Sequence, residues 1–535
     1  MSRPAVPRPW DGAWPAHVAR SLPYPSVPAW WLLERSVERF PGRVAVRDLD
    51  AASGAERDAL TYEALWRRVR AAAGGLARGG AGPGARVGLC LPNGSDLIVA
   101  WYAVWWAGAT AVPANPAARQ PEVEHQWKDA GVSLVVGLAG SPAQAAAERH
   151  GLPFVDVLAL HDLAAGAPVP AAPSSPATDV AVILYTGGTT GEPKGAMLTH
   201  RNLVANTLQF AEWYAFAPGE ETALAALPMF HSGGMSGVMN VPLSAGATLL
   251  VLPRFSAAAA ARAVTRHRAT RLFGVPTMYI ALLNDPEGRG ADYSALRACR
   301  TNAAPLPPAV KAAFDQLVGR EVLVEGYGLT ETSPLTHANP IGRPKPGSIG
   351  IPLPDTDARI VDLETGAETP PGASGELLIR GPQVMPGYWN RPDATLDALR
   401  DGWFRTGDVA TMDADGYFAI VDRKKDMINA AGFKVWPREV EEVLYAHPAV
   451  RLAAVVGVPD AYRGEAVKAF VVLKDGAASG EAELLAFCRE RLSTYKVPRA
   501  IEFRPALPLS GAGKLLRRAL RDGAAGVHPS RPGGS

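Results

Sequence analysis

A glycine- and threonine-rich stretch, Tyr185–Gly195, holds the residue types best suited to binding a polyphosphate. It follows the apolar run Val180–Leu184, so we expect a loop at the end of a buried strand. Its glycines allow close approach of the backbone to a ligand, and its threonine hydroxyls, backbone N–H groups and Lys194 supply donors and positive charge. Because Glu192-Pro193 stands before Lys194, the stretch differs from the Walker loop, which needs Gly-Lys-Ser/Thr in direct succession. A flexible turn without a ligand is the alternative.

A second candidate loop, Glu325–Thr332, follows the apolar run Val322–Val324. Tyr327 offers a flat face for a purine ring, Thr330 a hydroxyl for a phosphate, and Glu331 a hard oxygen ligand for Mg²⁺. By itself, this stretch is equally typical of a plain Gly-Tyr-Gly turn.

Three charged positions further along the chain add to these loops. Asp408, which follows a glycine, could accept hydrogen bonds from both hydroxyls of a ribose. The charged run Asp422–Asp426 is either a solvated surface or a junction at which Arg423 contacts a ligand and Lys425 acts as a pivot. Lys514 lies in a loop of small residues, from which it could reach a transferring phosphoryl group or simply face solvent.

Length and composition limit the class of protein. At ~100–200 residues per domain, a chain of 535 residues forms roughly three or four units. Its formal net charge of +2, without a polybasic block, disfavours nucleic acid as a partner. The three cysteines are too scattered for a disulfide framework or a zinc site and favour a reducing cytoplasm: Cys90, Cys299 and Cys488.

No segment indicates secretion or membrane insertion. Residues Met1–Arg20 carry prolines and charges in place of an apolar signal core. The uncharged tract Leu97–Ala114 contains Gly108 and predicts a buried helix followed by a strand. The tract Thr222–Pro253 is interrupted so often by proline and glycine that we expect it in a protein core.

The elements that must position these residues alternate between amphipathic helices and short apolar strands, which predicts a layered α/β architecture. Leu272–Pro276 predicts a strand that ends in a turn. Short strands between Gly, Pro and Asp turns predict a β-rich subdomain from about 342 to 424, and a compact α+β unit follows, with a helix opened by Pro437. Residues 523–535 predict a disordered tail.

In this order and spacing, the motifs resemble those of the adenylate-forming (AMP-binding) superfamily, which includes acyl-CoA synthetases, firefly luciferase and peptide-synthetase adenylation domains. The resemblance covers about residues 28–521, and its details, Glu325–Pro340 and Gly387–Pro392, are most like those of long-chain fatty acyl-CoA ligases. Seven motifs carry it: Thr186–Gly195, Leu227–His231, Ala303–Pro305, Tyr327–Glu331, Gly407-Asp408, Asp422–Lys425 and Gly513-Lys514.

The resemblance implies a large AMP-binding domain over residues 1–424 with layered α/β sheets and a barrel-like β-rich subdomain, followed by a small mobile α+β domain over residues 425–522. It also implies a two-step reaction. A carboxylate attacks the α-phosphorus of ATP–Mg²⁺ to give an acyl-adenylate and pyrophosphate, and after rotation of the C-terminal domain the thiol of CoA displaces AMP.

The resemblance further implies roles for single residues. Lys514 would be the adenylation lysine, Thr330 would contact the α-phosphate, Glu331 would bind Mg²⁺, and Lys425 would form the hinge. The acyl pocket would be lined by His231, Met235 and Ala303, with His231 also a catalytic residue near the acyl carboxylate, and CoA would pass Gly432. ATP and AMP would be bound by Thr186, Gly187, Gly188, Thr189, Thr190, Gly191, Lys194, Glu325, Gly326, Tyr327, Asp408 and Arg423.

The sequence departs from the family pattern mainly around the acyl and thiol sites. Thr301-Asn302 stands where related chains often carry Ser-Gly, and Asn429-Ala430 follows the hinge where some carry lysine and a bulkier residue. In the phosphate loop, Gly188 replaces a common serine, which leaves the backbone donors in place.

The acyl substrate is inferred from the uncharged tract Met229–Val241 and from Phe273–Pro276, whose small and apolar residues could line a tunnel for a medium- or long-chain alkyl group. No charged side chain there stands ready for an amino group, so amino-acid activation is disfavoured. An aryl-CoA ligase of the 4-coumarate or benzoate type, a ligase that loads a carrier protein, and a non-catalytic acyl- or nucleotide-binding protein stay open. So do a homodimer and peripheral membrane contact.

Overall fold

The computed structural model of the protein describes residues 8–159, 176–186, 193–430, 433–460, 464–508, 515–517 and 519–521. The predicted disordered tail, residues 523–535, lies outside the described residues.

The helices follow the predicted amphipathic pattern. In the second helix Leu65, Val69 and Leu76 are buried, and the Thr61 hydroxyl caps its first turn by accepting from the Ala64 N–H (3.2 Å). The α-helices are α1 Trp31–Arg39, α2 Tyr62–Arg78, α3 Ser95–Trp106, α4 Gln120–Ala130, α5 Pro142–Arg149, α6 His200–Trp213, α7 Val241–Ser244, α8 Ala257–His267, α9 Pro276–Asn284, α10 Pro286–Gly290, α11 Pro308–Val318, α12 Pro392–Ala398, α13 Pro437–Tyr445 and α14 Glu481–Arg489.

Short helices of other types lie between these. A π-helix, Gly234–Asn240, runs directly into α7, and 3₁₀ turns span Pro9–Ala13, Thr330–Thr332 and Lys424–Asp426.

The strands alternate with the helices up to β13 and then follow one another closely. They are β1 Val44–Leu49, β2 Glu56–Thr61, β3 Arg86–Cys90, β4 Thr110–Pro113, β5 Leu134–Gly137, β6 Phe154–Asp156, β7 Val180–Thr186, β8 Lys194–Thr199, β9 Thr222–Ala225, β10 Thr248–Val251, β11 Arg271–Gly274, β12 Ala298–Thr301, β13 Leu323–Gly328, β14 Leu335–Ala338, β15 Ile351–Pro352, β16 Asp357–Val361, β17 Gly375–Arg380, β18 Gly387–Tyr388, β19 Leu399–Arg400, β20 Trp403–Met412, β21 Phe418–Arg423, β22 Ile428–Ala430, β23 Phe433–Val435, β24 Val450–Asp460, β25 Gly464–Leu473 and β26 Ala500–Phe503.

Four sheets are built from these strands. A nine-stranded sheet has the order β15-β14-β13-β12-β11-β9-β10-β1-β2, and a seven-stranded sheet has the order β18-β8-β7-β4-β3-β5-β6. Their inner strands are mostly parallel and joined by helices, as expected of layered α/β architecture. The predicted α/β fold class is confirmed.

The β-rich stretch and the C-terminal region each form a sheet of their own. Strands β16-β17-β20-β19 form an antiparallel sheet that β21 joins through β20, and an isolated bridge, Gly350 to Phe418, connects the preceding segment to it. The C-terminal sheet has the order β23-β22-β25-β24, with β26 on β25, and α13 and α14 flank a separate apolar core. The domain boundaries themselves stay predictions.

The apolar tracts form core elements. Leu97–Ala114 contains α3, which is buried on every side, and β4, as predicted. Leu272–Pro276 differs from its prediction: β11 does not end in a turn, because Val275 leads directly into α9 at Pro276, where the missing proline N–H costs no helical hydrogen bond. Among the described helices, none has both the length and the apolar character that a membrane crossing requires.

Candidate active site

Three of the predicted site segments follow the parallel strands β11, β12 and β13. In the register of β11, β12 and β13, Gly274 pairs with Thr301, and Thr301 pairs with Glu325. The segments that follow these strands therefore emerge at one edge of the nine-stranded sheet, where ligands bind in open α/β sheets.

Asp408 is the centre of the predicted nucleotide cluster. Its side chain is buried, and its Oδ2 accepts a hydrogen bond from the Tyr327 hydroxyl (2.6 Å). Arg423, its partner across β20 and β21, places Nε 3.3 Å from the other carboxylate oxygen. The structure thus brings together the three residues predicted for adenosine, and the cation and hydroxyl beside Asp408 orient a carboxylate that can accept from a ribose.

Glu331 lies in the 3₁₀ turn that follows β13. Gly328 permits this turn, because a Cβ there would lie 1.7 Å from the Pro334 carbonyl oxygen. The Glu331 Oε1 accepts a hydrogen bond from the Tyr388 hydroxyl (2.8 Å), and its backbone carbonyl accepts from the Met385 N–H (2.8 Å). This hydrogen bond uses Oε1 and leaves Oε2 available for a metal ion. That arrangement fits Mg²⁺, which usually takes one or two protein carboxylates and completes its coordination shell with phosphates and water.

Lys194 lies over the ring of Tyr388, the tyrosine that donates to Glu331. The strands on either side of the predicted phosphate loop are antiparallel, and Thr186 of β7 pairs with Lys194 of β8. Lys194 was expected in the loop but begins the returning strand, and its Nζ lies 5.2 Å from the centre of the Tyr388 ring. The predicted loop residues Gly187, Gly188, Thr189, Thr190 and Gly191 lie outside the described residues.

Tyr388 was not among the predicted site residues, although it contacts two of them. Its motif Gly387–Pro392 was noted only as part of the family resemblance. A neighbouring set of contacts holds the end of β7: Asp129 accepts from the Tyr185 hydroxyl (2.6 Å) and from Arg391 Nη2 (2.9 Å). Nothing in the local sequence pairs Asp129 with residues so far along the chain.

Glu325 and Gly326 lie on β13 just before Tyr327. Glu325 is buried, and the only described residue that donates to its side chain is Leu306, through its backbone N–H (3.1 Å). Burial raises the pKa of Glu325 to about 7. Gly326 leaves no free space, since a Cβ there would lie 3.1 Å from Leu335 and 3.4 Å from the His337 carbonyl oxygen.

The predicted acyl residues lie on two segments. Met235 is fully buried in the π-helix, and its N–H donates to the His231 carbonyl (2.8 Å). Gly234 allows this turn, because its Cβ would lie 1.9 Å from the Pro228 carbonyl oxygen. Ala303 is exposed after β12, with a left-handed backbone conformation (φ 72°). Ser236 in the π-helix donates to the Ser333 carbonyl (2.6 Å), which connects the acyl side to the loop that carries Glu331.

The predicted hinge residue, Lys425, lies in a charged segment. Lys425 lies in a 3₁₀ turn, where partial burial and the neighbouring Arg423 charge lower its pKa. Asp422 accepts from the backbone N–H of Arg438 (2.8 Å), and Arg517 contacts Asp426 (3.4 Å) from the C-terminal region. The two residues predicted for the C-terminal side of the reaction, Gly432 and Lys514, lie outside the described residues.

Comparison with known proteins identifies the family. The chain matches the AMP-binding enzyme family over residues 33–389 and the AMP-binding enzyme C-terminal domain over residues 439–514. The chain therefore belongs to the AMP-binding enzyme family. The prediction of an adenylate-forming, ATP-dependent acyl-CoA synthetase is confirmed at this level.

Individual relatives cover nearly the whole chain. A long-chain-fatty-acid–CoA ligase of Bacillus subtilis (strain 168) is 40% identical, over 96% of this chain and 97% of its own length. A feruloyl-CoA synthase of an Amycolatopsis species is 41% identical, over 86% of this chain and 94% of its own. The ATP-bound structure of MatB from Rhodopseudomonas palustris is similar with a TM-score of 0.85 at 33% identity, covering 94% of this chain and 99% of that chain.

Proposed function

We propose that the protein is an AMP-forming ligase that joins medium- or long-chain fatty acids to CoA. The observation that carries this proposal is the convergence of Asp408, Tyr327 and Arg423 beside Glu331 and Lys194, which concentrates hydrogen-bonding and charged groups suited to ATP. The full-length similarity to a protein named as a long-chain-fatty-acid–CoA ligase supports the choice of acid and of thiol.

In the first half-reaction, a carboxylate oxygen of the acid attacks the α-phosphorus, and pyrophosphate leaves. Tyr327, Asp408 and Arg423 would hold the adenosine, while Thr186, Lys194 and the adjoining glycine loop would hold the departing phosphates. Glu331 would hold Mg²⁺, which when bound neutralises charge on the phosphates. In the second half-reaction, the CoA sulfur attacks the acyl carbonyl, and the bond to AMP breaks.

Lys514, the predicted adenylation lysine, gives a direct test of the two half-reactions. We expect Lys514→Ala to lower the rate of acyl-adenylate formation by about 10²–10³-fold, because a preorganised positive charge near the attacking carboxylate is lost. The rate of thioester formation from preformed acyl-adenylate should change far less. Both rates are measured with the purified enzyme, and equal losses in the two half-reactions would contradict the role.

A panel of acids with ATP and CoA tests the proposed function itself, with AMP and acyl-CoA as the readouts. Fatty acids should give both products. Accumulation of acyl-AMP without thioester would favour transfer to a carrier protein, and an absence of acid-dependent pyrophosphate release would exclude each enzymatic alternative.

An aryl acid is the second candidate substrate. It is supported by the similarity to a feruloyl-CoA synthase, whose identity of 41% is close to that of the fatty-acid relative. Cinnamates and benzoates in the same panel separate the two, since a higher kcat/KM for an aryl acid would reassign the substrate.

We also propose that the protein works in the cytoplasm. The three cysteines are buried and free, which fits a reducing cytoplasm. A homodimer and peripheral contact with a membrane are open proposals that sedimentation and vesicle binding would test.

A further inference from the structure

Arg300 is a fully buried cation at the acyl side of the site, and none of the roles above uses it. It lies on β12, two residues before Asn302, and its side chain is 0% exposed. Among the described residues, no carboxylate pairs with it, and burial lowers its pKa. Since a buried charge is normally paired or fully hydrogen-bonded, its surroundings need a physical account.

The neighbours of Arg300 satisfy only part of the hydrogen-bonding capacity of its guanidinium. The guanidinium carbon lies 4.4 Å from the centre of the Phe210 ring and 5.5 Å from that of Phe273. Nη2 donates to the Asn302 side-chain oxygen (3.2 Å) when that amide is oriented to bond Gly274 as well. Within the described structure, Nε and Nη1 have no partner with good hydrogen-bond geometry, and the neutral Tyr214 hydroxyl is the nearby polar group whose hydrogen bonding raises the Arg300 pKa against the effect of burial. Aromatic rings attract the cation, but they leave N–H groups that point away from the ring faces without acceptors.

A second buried arginine shows what a structural role looks like in the same sheet. Arg271 lies on the adjacent strand β11 and is 3% exposed. Its Nη1 donates to the Tyr214 carbonyl (2.9 Å), and its Nη2 donates to the Glu221 carboxylate (2.7 Å). Arg271 therefore has a counter-charge inside the protein, whereas Arg300 has none among the described residues.

The position of Arg300 connects it to the acyl elements. A Cβ placed on Gly237, in the π-helix that carries Met235, would lie 3.3 Å from Arg300 Nη2. A Cβ placed on Gly233 would lie 3.5 Å from the side-chain amide of Asn302, the residue that contacts Arg300. The Nη2 end of the guanidinium thus lies directly behind a small residue of the segment predicted to line the acyl tunnel.

We propose that Arg300 determines substrate specificity by binding an oxygen acceptor on the tail of the acyl substrate. The preferred acid carries a second oxygen group away from the reacting carboxylate. A second carboxylate, a hydroxyl and a keto oxygen share this acceptor chemistry, and the carboxylate would also supply the missing counter-charge. The inference rests on the proposed function, because it concerns the acid that is activated.

The test compares straight-chain acids of matched length that are unsubstituted or carry a terminal carboxylate, a terminal hydroxyl or an internal keto group. We expect a higher kcat/KM for at least one oxygen-bearing series in the unaltered enzyme. In Arg300→Met, the kcat/KM of that series should fall by about 10–100-fold, the typical effect of losing a hydrogen bond to a charged group. Values for unsubstituted acids should stay within about threefold, and Arg300→Lys should retain part of the preference because it keeps a cationic donor.

Arg297→Met is the matched control, since Arg297 precedes the same strand but is about half exposed. It should leave the preference among acids unchanged. An equal loss for every acid in Arg300→Met, or the absence of any preference in the unaltered enzyme, would overturn the inference.

A binding measurement keeps the inference testable if Arg300→Met does not fold. Non-hydrolysable acyl-adenylate analogues with and without the tail oxygen are titrated into the unaltered enzyme, and the oxygen-bearing analogue should bind more tightly. Equal affinities would overturn the specificity role. Turnover of unsubstituted fatty acids without such a difference would contradict this inference alone, whereas no turnover of any acid would contradict the proposed function.

Discussion

The predicted nucleotide side and the predicted acyl side of the site differ in whether their buried charged groups have partners. On the nucleotide side, Asp408 has Arg423 and Tyr327 as partners, and Glu331 has Tyr388. On the acyl side, Arg300 lacks a carboxylate partner among the described residues, and Glu325 on the adjacent strand β13 has a single described donor to its carboxylate.

This difference follows from what each side has to bind. ATP is the same polyanion in every turnover, so groups already held by neighbours cost little reorganisation when it arrives. An acyl pocket gains affinity chiefly from apolar contact, and a polar group left without a partner there favours a substrate that brings one.

The largest expected effect on catalysis comes from Asp408, which has charged and hydrogen-bonding partners on the nucleotide side. Asp408→Ala should lower kcat/KM for ATP by about 10²–10³-fold, because the ribose acceptor is lost and Arg423 is left without its carboxylate. The order of preference among acids should not change. Steady-state kinetics with varied ATP and varied acid measure both quantities.

Asp357→Asn serves as the control for this change. Asp357 lies on the same β-rich sheet and pairs with Arg380 (2.8 Å), but it is not among the residues predicted to bind ATP. A loss of ATP efficiency as large as that of Asp408→Ala would show that the effect comes from the sheet and not from the nucleotide cluster.

The next effect concerns Glu325, the buried carboxylate on β13. Its pKa is raised from 4.5 to about 7, so between these values the folded protein binds more protons than the unfolded chain. The free energy of unfolding should therefore fall as pH rises through this range, by about 3 kcal/mol from this group. Glu325→Gln should remove that part of the slope in denaturant unfolding measured across pH.

Glu368→Gln is the matched control, since Glu368 is an exposed glutamate of the β-rich region. It should leave the pH slope unchanged. If Glu325→Gln also left the slope unchanged, Glu325 would not be a proton-binding carboxylate, and its contrast with the paired Asp408 would be lost.

The smallest effect is expected for Tyr388→Phe. The ring beneath Lys194 is kept, and only the hydroxyl that donates to Glu331 is lost. Loss of one hydrogen bond to a carboxylate at a partly exposed site corresponds to about 10-fold, the low end of the range for bonds to charged groups. The half-saturating Mg²⁺ concentration should rise, and an unchanged Mg²⁺ dependence would separate Tyr388 from the ion-binding role of Glu331.

Much of the fold was predictable because local patterns are strong in this chain. The periodicity of Leu65, Val69 and Leu76 predicted α2, and the uncharged tract Leu97–Ala114 predicted α3 and β4. The prediction that Leu272–Pro276 ends in a turn was wrong. Pro276 begins a helix, and a proline looks the same in the sequence at the first position of a helix as in a turn.

Within the site, motif order led to Tyr327, Asp408, Arg423 and Glu331, which the structure brings together as expected. Tyr388 and Arg300 were missed for a different reason. A tyrosine hydroxyl and a guanidinium gain their roles from neighbours that are distant in the chain, such as Glu331 and Phe210. No spacing in the sequence encodes those neighbours.

The sequence by itself determined the family, the alternation of helices and strands, and the residue types at the phosphate, ribose and metal positions. These depend on local periodicity and on motifs whose members are close in the chain. Only the tertiary structure decided which charges are neutralised. Pairing Asp408 with Arg423 requires the register of β20 and β21, and the isolation of Arg300 results from packing of α6, the π-helix and β12 around it. Charge pairing depends on distances across the fold, and those exist only once the chain has folded.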